Sequence, residues 1–347
     1  MKNNLLDIFS KLKKDEKPDN IHLNSRVLII DGLNLFLRNF AVVNKLNLVG
    51  HEIGGIVGFL KSLGSVIKLL NPTRVVVVFD GERGSTNRKY LYPQYKANRT
   101  NTRIMNSSLY SNKDDEDDSK YNQIVRLVDY LSYLPVLSIA VDNLEADDII
   151  AHLANTVYSE ITDSRIYVMS TDNDFLQLVN DRISVYSPIK KKIYQVSQVL
   201  SDFKVHPNNF LLYKSLIGDT SDNIPGVQGV GEKNVYKLFS FLTESEPKEL
   251  QDIFEVCSNT DKKSKIYERV LNVSKDIQTF YNVMDLKNPN ISEENKKTIK
   301  DRYENGISDF KKYEFLKLCK HDKFGDAIPN VENWINLFTS LNNYKQL

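Results

Sequence analysis

Four short runs of apolar, mostly β-branched residues limit what this chain can fold into: Arg26–Asp31 (RVLIID), Val75–Asp80 (VVVVFD), Val136–Val141 (VLSIAV) and Ile166–Ser170 (IYVMS). None alternates apolar with polar. Strands of that kind are buried on both faces, as in a parallel sheet covered by helices. Between them the spacing becomes helical: Ile56, Phe59, Leu60, Leu63, Ile67 and Leu70 predict one helix, and Ile124, Leu127, Val128, Leu131 and Leu134 another. Strand and helix alternate to about residue 185, which predicts a doubly wound α/β domain. Ligands of such sheets bind beyond the carboxyl ends of the strands. Asp31, Asp80, Asp172 and Asp174 all fall at that edge.

From about residue 200 only helical periods remain, one around Phe210, Tyr213, Leu216 and Ile217 and one around Val235, Leu238, Phe239 and Leu242. The turn-rich stretch Gly218–Gly231 lies between them, and polar breaks fall near Ser258–Lys265 and Asn288–Glu293. Lys113–Lys120 (KDDEDDSK) reads as an exposed acidic loop. No apolar run approaches the roughly 20 residues of a membrane helix, and the first twenty residues lack a signal-peptide core. Cys257 and Cys319 cannot form a disulfide scaffold or a four-ligand zinc site and read as buried thiols. Five scattered histidines argue against a His-based metal site. The expected location is intracellular, in the cytoplasm.

The chemistry lies in the acids. Asp31; Asp80; Glu145, Asp147 and Asp148; Asp172 and Asp174; and Asp219 and Asp222 form five groups. One Asp at a strand end is an ordinary turn or helix cap. Five groups at one edge repel one another unless cations neutralise them, and oxygen ligands without His or Cys select Mg²⁺ or Mn²⁺. Two such ions about 3.5–4 Å apart suit phosphodiester hydrolysis. Thr171–Asp174 resembles the start of an EF-hand, but Gln177 and Ile183 stand where that loop needs Gly and Glu.

Gly226–Lys233 (GVQGVGEK) fails the P-loop pattern, because Glu232 separates Gly231 from Lys233 and no Ser or Thr follows. A helix precedes it, so it is not a dinucleotide fingerprint either. It is either a plain connector or a glycine turn whose N–H groups hold a phosphate. The chain's 46 Lys and Arg balance 45 Asp and Glu, so nucleic-acid binding must rest on local charge. Glu82–Ile104 supplies it: Arg83, Arg88, Lys89, Lys96, Arg99 and Arg103 against one acid, with Tyr90, Tyr92 and Tyr95 interleaved. Such a segment is a solvated loop or a channel for single-stranded nucleic acid.

Taken in order, LIIDGLN (28–34), VVFDG (77–81), RKYLYPQYKANR (88–99), NLEADDIIAHLA (143–154), STDNDFLQLV (170–179) and GDTSDNIPGVQGVGEK (218–233) resemble the flap-endonuclease-like 5′→3′ nucleases. That family includes phage 5′ exonucleases, the phage ribonuclease H that removes primers and the 5′-nuclease domain of bacterial DNA polymerase I. The resemblance implies an α/β, PIN-like nuclease domain with a mostly parallel sheet, then an all-helical helix–three-turn–helix domain. The expected divisions are a leader at 1–25, the nuclease domain at 26–200 with an arch at about 88–121, the DNA-binding domain at 201–290 and a helical extension at 291–347.

By the same resemblance, Asp31, Asp80, Glu145 and Asp147 would build a first metal site and Asp148, Asp172, Asp174, Asp219 and Asp222 a second. With Asp31 and Asp80, Lys96 and Arg99 would be catalytic, the two bases approaching the scissile phosphate. Tyr95 would stack on a terminal base, Arg88, Lys89 and Arg103 would contact DNA, and Gly226, Gly229, Gly231 and Lys233 would hold duplex backbone with a K⁺ in the turn. The implied activity is Mg²⁺-dependent, structure-selective 5′→3′ exonuclease and flap-endonuclease cleavage of DNA or RNA–DNA in primer removal, through two Mg²⁺ or Mn²⁺. Implied partners are DNA with 5′ flaps, nicks or RNA primers and replication proteins such as a single-strand-binding protein or clamp, with a monomer as default. The alternatives are a PIN-domain ribonuclease on single-stranded RNA and a non-catalytic junction-DNA-binding module. Two features depart from the family: the acids Asp114–Asp118 within an arch that is usually basic, and an extension with Trp334 that reads as a helical cap or a docking surface. A chain of 347 residues has no room for a fused polymerase, so a free-standing, phage-like enzyme is expected.

Overall fold

A computed structural model describes residues 21–99, 103–157, 163–259 and 265–345. Most of the expected leader (1–20), residues 100–102 of the expected arch and residues 260–264 of the expected polar break lie outside them. Strands β1 (Arg26–Asp31), β2 (Arg74–Val78), β3 (Leu137–Ile139), β4 (Arg165–Met169), β5 (Ile183–Ser187) and β6 (Lys192–Tyr194) make one sheet in the order β3-β2-β1-β4-β5-β6. The first five run parallel, and β6 returns antiparallel to β5.

All of β1 and β2 is buried. Val27, Ile29, Val76 and Val78 face one hydrophobic cluster, and Leu28, Ile30, Val75 and Val77 the other. Two covered faces explain why these strands are apolar at every position. The Val75–Asp80 run stops being a strand at Val78, so Asp80 lies just past the end of β2.

The helices of the first part are α1 (Gly32–Val42), α2 (Gly54–Leu70), α3 (Thr86–Leu91), α4 (Lys113–Ser132) and α5 (Ala146–His152), the last continued by a π-helical turn at Leu153–Val157. After β6 come α6 (Val196–Phe203), α7 (Phe210–Ile217), α8 (Val235–Leu238), α9 (Leu250–Asn259), α10 (Lys265–Asn272), α11 (Ser274–Met284), α12 (Glu293–Asn305), α13 (Lys312–His321), α14 (Val331–Trp334) and α15 (Thr339–Lys345). The helical period read to Leu242 breaks at Leu238 and resumes as a 3₁₀ turn at Ser240–Thr243.

The acidic run Lys113–Lys120 is not a loop. It opens α4, where Asn112 caps the helix by accepting from the Asp115 N–H at 2.8 Å. Acids in a first turn complement the helix dipole, so the run favours the element that composition alone read as coil. Glu116 is fully buried and accepts from the Asn106 N–H at 2.7 Å and from Lys113 Nζ at 2.6 Å, which pins the segment before α4.

The last helices fold back over α2. Phe315 is fully buried there and stacks on Trp334 with ring centroids 5.6 Å apart. A Cβ on Gly64 of α2 would lie 2.3 Å from the Trp334 indole nitrogen, so only glycine allows this approach. Asp322 accepts from Tyr130 Oη at 2.9 Å and pairs with Arg126 at 3.3 Å, fastening α13 to α4. No helix among the described residues is long and apolar enough to cross a membrane.

Candidate active site

All five parallel strands bring their carboxyl ends to one edge, and the acids gather there. Asp31 ends β1 and caps α1, accepting from the Asn34 N–H at 3.1 Å and from Ser170 Oγ at 3.1 Å. Burial and the nearby Asp80 push its carboxyl up to about 6. Asp80 accepts from the Ala146 N–H at 2.9 Å, which docks the start of α5 beside β2. Asp147, in the first turn of α5, is raised well above the ordinary carboxylate value by burial and by Asp172 and Asp31. Asp172 accepts from the Asp174 N–H at 2.8 Å and is raised by burial. Burial and Asp172 push Asp174 up to about 7. Like charges held close in a dry setting resist ionisation together, and Asp31, Asp147, Asp172 and Asp174 resist it.

Glu145 behaves differently. Burial would raise it, yet Arg88 and Lys96 hold it down to about 2. It accepts from Arg88 Nη1 at 2.9 Å, Tyr95 Oη at 2.9 Å and Lys96 Nζ at 2.7 Å, and from Ser85 Oγ. Lys96 takes a left-handed φ of 56°, and its N–H donates to the Asp222 carbonyl at 3.0 Å. Arg99 donates to Asp222 Oδ1 at 2.7 Å and to the Ser221 carbonyl at 3.1 Å. The basic segment therefore lies against the turn that carries Asp219 and Asp222.

Two expected DNA contacts, Tyr95 and Arg88, lie buried. Tyr95 is 2% exposed, packed with Leu211, Ile224 and Phe280, and its hydroxyl donates to Glu145, so its ring is not presented at the surface. Arg88 is 8% exposed and paired with Glu145 and Asp148. A guanidinium with two carboxylates to satisfy is drawn inward even from a basic segment. Asp148, expected in the second metal site, gives both oxygens to Arg88, at 2.9 and 2.8 Å. Lys89, Arg103 and Lys233 remain exposed. Gly226 and Gly229 have φ of 65° and 90°, and Gly226 lies so close to Ile217 and Gly218 that a side chain would clash with their backbone. Gly231 borders open space.

Lys214 escaped the reading of the sequence. Its ammonium lies 2.7 Å from Asp174 and 2.7 Å from Asp219. The signal was its place as the one charge in the apolar helix FLLYKSLI, a position that demands a partner. Arg88, Lys96, Arg99 and Lys214 thus stand among the nine acids. Among the described residues, no three carboxylate, imidazole or thiol groups close into a ready-made metal cage. Asp174 Oδ1 is buried without a hydrogen bond of good geometry, although Lys214 Nζ is near.

Such an edge, acidic and buried beside a basic segment, suits hydrolysis of a polyanion. The chain resembles a T5 5′-exonuclease solved with divalent zinc ions, with a TM-score of 0.64 and 20% identity over 82% of this chain and 100% of that one. It is 32% identical over 212 residues to a 5′–3′ exonuclease of Aquifex aeolicus (60% of this chain, 67% of the relative). It is 33% identical over 225 residues to a 5′–3′ exonuclease of Bacillus subtilis (62% and 70%). Residues 26–204 match the family "5′–3′ exonuclease, N-terminal resolvase-like domain" and residues 205–302 match "5′–3′ exonuclease, C-terminal SAM fold". With both halves matched in order over the site just described, the chain belongs to the 5′–3′ exonuclease family.

Proposed function

We propose that this protein is a Mg²⁺- or Mn²⁺-dependent, structure-selective 5′→3′ exonuclease and flap endonuclease that hydrolyses phosphodiesters of DNA or RNA–DNA during primer removal. The observation that carries the reading is the set of carboxylates Asp31, Asp147, Asp172 and Asp174 at one sheet edge, each raised by burial and by neighbouring acids. Their chemistry fits hard divalent cations: the donors are all oxygen, they are too many to ionise together, and Asp174 holds a buried oxygen without a well-formed hydrogen bond. Asp31, Asp80, Glu145 and Asp147 would hold one ion and Asp172, Asp174, Asp219 and Asp222 another. When bound, the ions supply charge stabilisation for the phosphate and the leaving 3′-oxygen and lower the pKa of water.

The remaining work falls to side chains. Lys96 and Arg99, now on Glu145 and Asp222, would turn to the scissile phosphate once cations meet those acids, and would offset its developing charge. The turn of Gly226, Gly229 and Gly231, followed by the exposed Lys233, would hold duplex backbone with a K⁺ bound. Residues 26–200 would act as the nuclease domain, 201–290 as the duplex-binding domain and 291–347 as a helical cap.

The test is a product-length assay with Mg²⁺ on 5′-labelled flap, gapped, RNA-primed and single-stranded RNA substrates. Cleavage at flap junctions and of nicked 5′ ends is expected. Cleavage of single-stranded RNA alone, or binding of the flap without cleavage, overturns the reading.

A further inference from the structure

Arg88 sits on α3, yet its guanidinium reaches three other places. Nη1 donates to Glu145 Oε2 and to Asp148 Oδ2, both at 2.9 Å, and Nη2 to Asp148 Oδ1 at 2.8 Å. Nε donates at 3.0 Å to the carbonyl of Val283, in the last turn of α11. Glu145 and Asp148 bracket the first turn of α5 and close a capping box there. A buried guanidinium is costly unless every donor is matched, and this planar fork is matched on each side it presents.

The other half of the site is tied to the same helix end. Gln177 follows Asp174 in the 3₁₀ turn Asp174–Leu178, is 1% exposed, and donates to the Met284 carbonyl at 3.1 Å. Its side-chain oxygen accepts from the Leu286 N–H at 3.0 Å. Consecutive carbonyls, Val283 and Met284, therefore anchor the segments that carry the two groups of acids. The end of a helix is where carbonyls stand free and partially negative, so it accepts such donors readily.

We propose that Arg88 is a positioning residue: it aims Glu145, with Asp148 as its own counter-charge, and ties that aim to the seating of α11, without touching DNA. This rests on Glu145 being a metal-holding carboxylate. Groups that orient a ligand from behind are worth about 10–100-fold in activity or metal affinity when lost.

The test compares wild type, Arg88→Gln, Arg88→Lys and Arg88→Gln/Asp148→Asn as full chains, reading kcat and KM on 5′-flap DNA. Flap-DNA Kd in EDTA and the Mg²⁺ dependence of the melting temperature are read alongside. Arg88→Gln should lower kcat about 10–100-fold and raise the Mg²⁺ needed for half the thermal shift by a similar factor. KM and the EDTA Kd should stay within about threefold, since ground-state DNA binding is untouched. The double variant should recover melting temperature but not kcat, because neutralising Asp148 removes an unpaired charge without re-aiming Glu145. Arg88→Lys keeps the charge and loses the fork, so it should fall between; it carries the same comparison if Arg88→Gln does not fold. A raised KM and Kd at constant kcat would make Arg88 a DNA contact, and recovery of kcat in the double variant would make its role one of folding alone. Either result overturns the proposal. A wild type that leaves flap DNA intact overturns the functional reading instead.

Discussion

Lys214 and Asp174 meet at 2.7 Å at the foot of the candidate site, the ammonium 9% and the carboxylate 12% exposed. The same ammonium reaches Asp219 at 2.7 Å, so one lysine answers two acids from different elements. Lys214→Met keeps most of the side chain's length and leaves both acids without this cation. It should cost about 3–5 kcal/mol in EDTA, the usual result of stripping one partner from a buried pair. Saturating Mg²⁺ should return part of that loss. Urea unfolding with and without Mg²⁺ measures both; equal losses in the two conditions would show that cation and lysine do not share a site.

The raised acids make metal-free stability depend on pH. Asp174 is pushed from 3.8 up to about 7 and Asp31 up to about 6. A carboxyl raised on folding stabilises the fold while protonated, so that contribution is complete below about pH 4 and is lost as pH rises to about 7. Mg²⁺ binds the ionised form and opposes the loss, by about 2.7 kcal/mol at a hundredfold excess over its Kd. The difference in melting temperature between Mg²⁺ and EDTA should therefore widen from about pH 5 to about pH 8. Parallel curves across that range would contradict the site.

Neither cysteine should react while the protein is folded. Burial pushes Cys257 up to about 11 and Cys319 up to about 12, and the thiolate is the reactive form. With a thiol reagent at about pH 8, labelling should be slow in the native protein and should reach both residues in urea. Rapid labelling of either residue without denaturant would show that its segment opens.

Trp334 is the chain's single tryptophan, which makes the extension easy to follow. Its ring rests on Phe315 and Phe338, inside the cluster that also holds α2 and one face of the sheet. Phe315→Ala should cost about 3–5 kcal/mol, the range for a buried aromatic. In wild type, fluorescence and far-UV circular dichroism should report one shared urea midpoint. Separate midpoints would mean that the extension comes away before the sheet melts.

The sheet was legible because burial on both faces leaves an unbroken apolar run, and a carboxylate just past such a run marks the active edge. Strand order was not legible, since nothing in RVLIID or VVVVFD says which strand lies beside which. The acids at that edge were legible as a group, while the pairing of each with its cation was not. Arg88 and Tyr95 looked like surface groups among basic neighbours, and what draws them inward is Glu145, fifty or more positions away. The acids of Lys113–Lys120 were read by composition, although the Asn112 cap before them was the stronger local signal. Lys214 called for attention only through the apolar helix around it.

The hydrophobic cluster on one face of the sheet runs from Val76 and Ile149 through Phe210 and Val235 to Ile253 and Ile277 without a gap. It therefore crosses the point between residues 204 and 205 where one matched family region gives way to the next. Separating the chain there would open apolar surface on both pieces. Either region taken alone would need another apolar face to cover its share of that cluster.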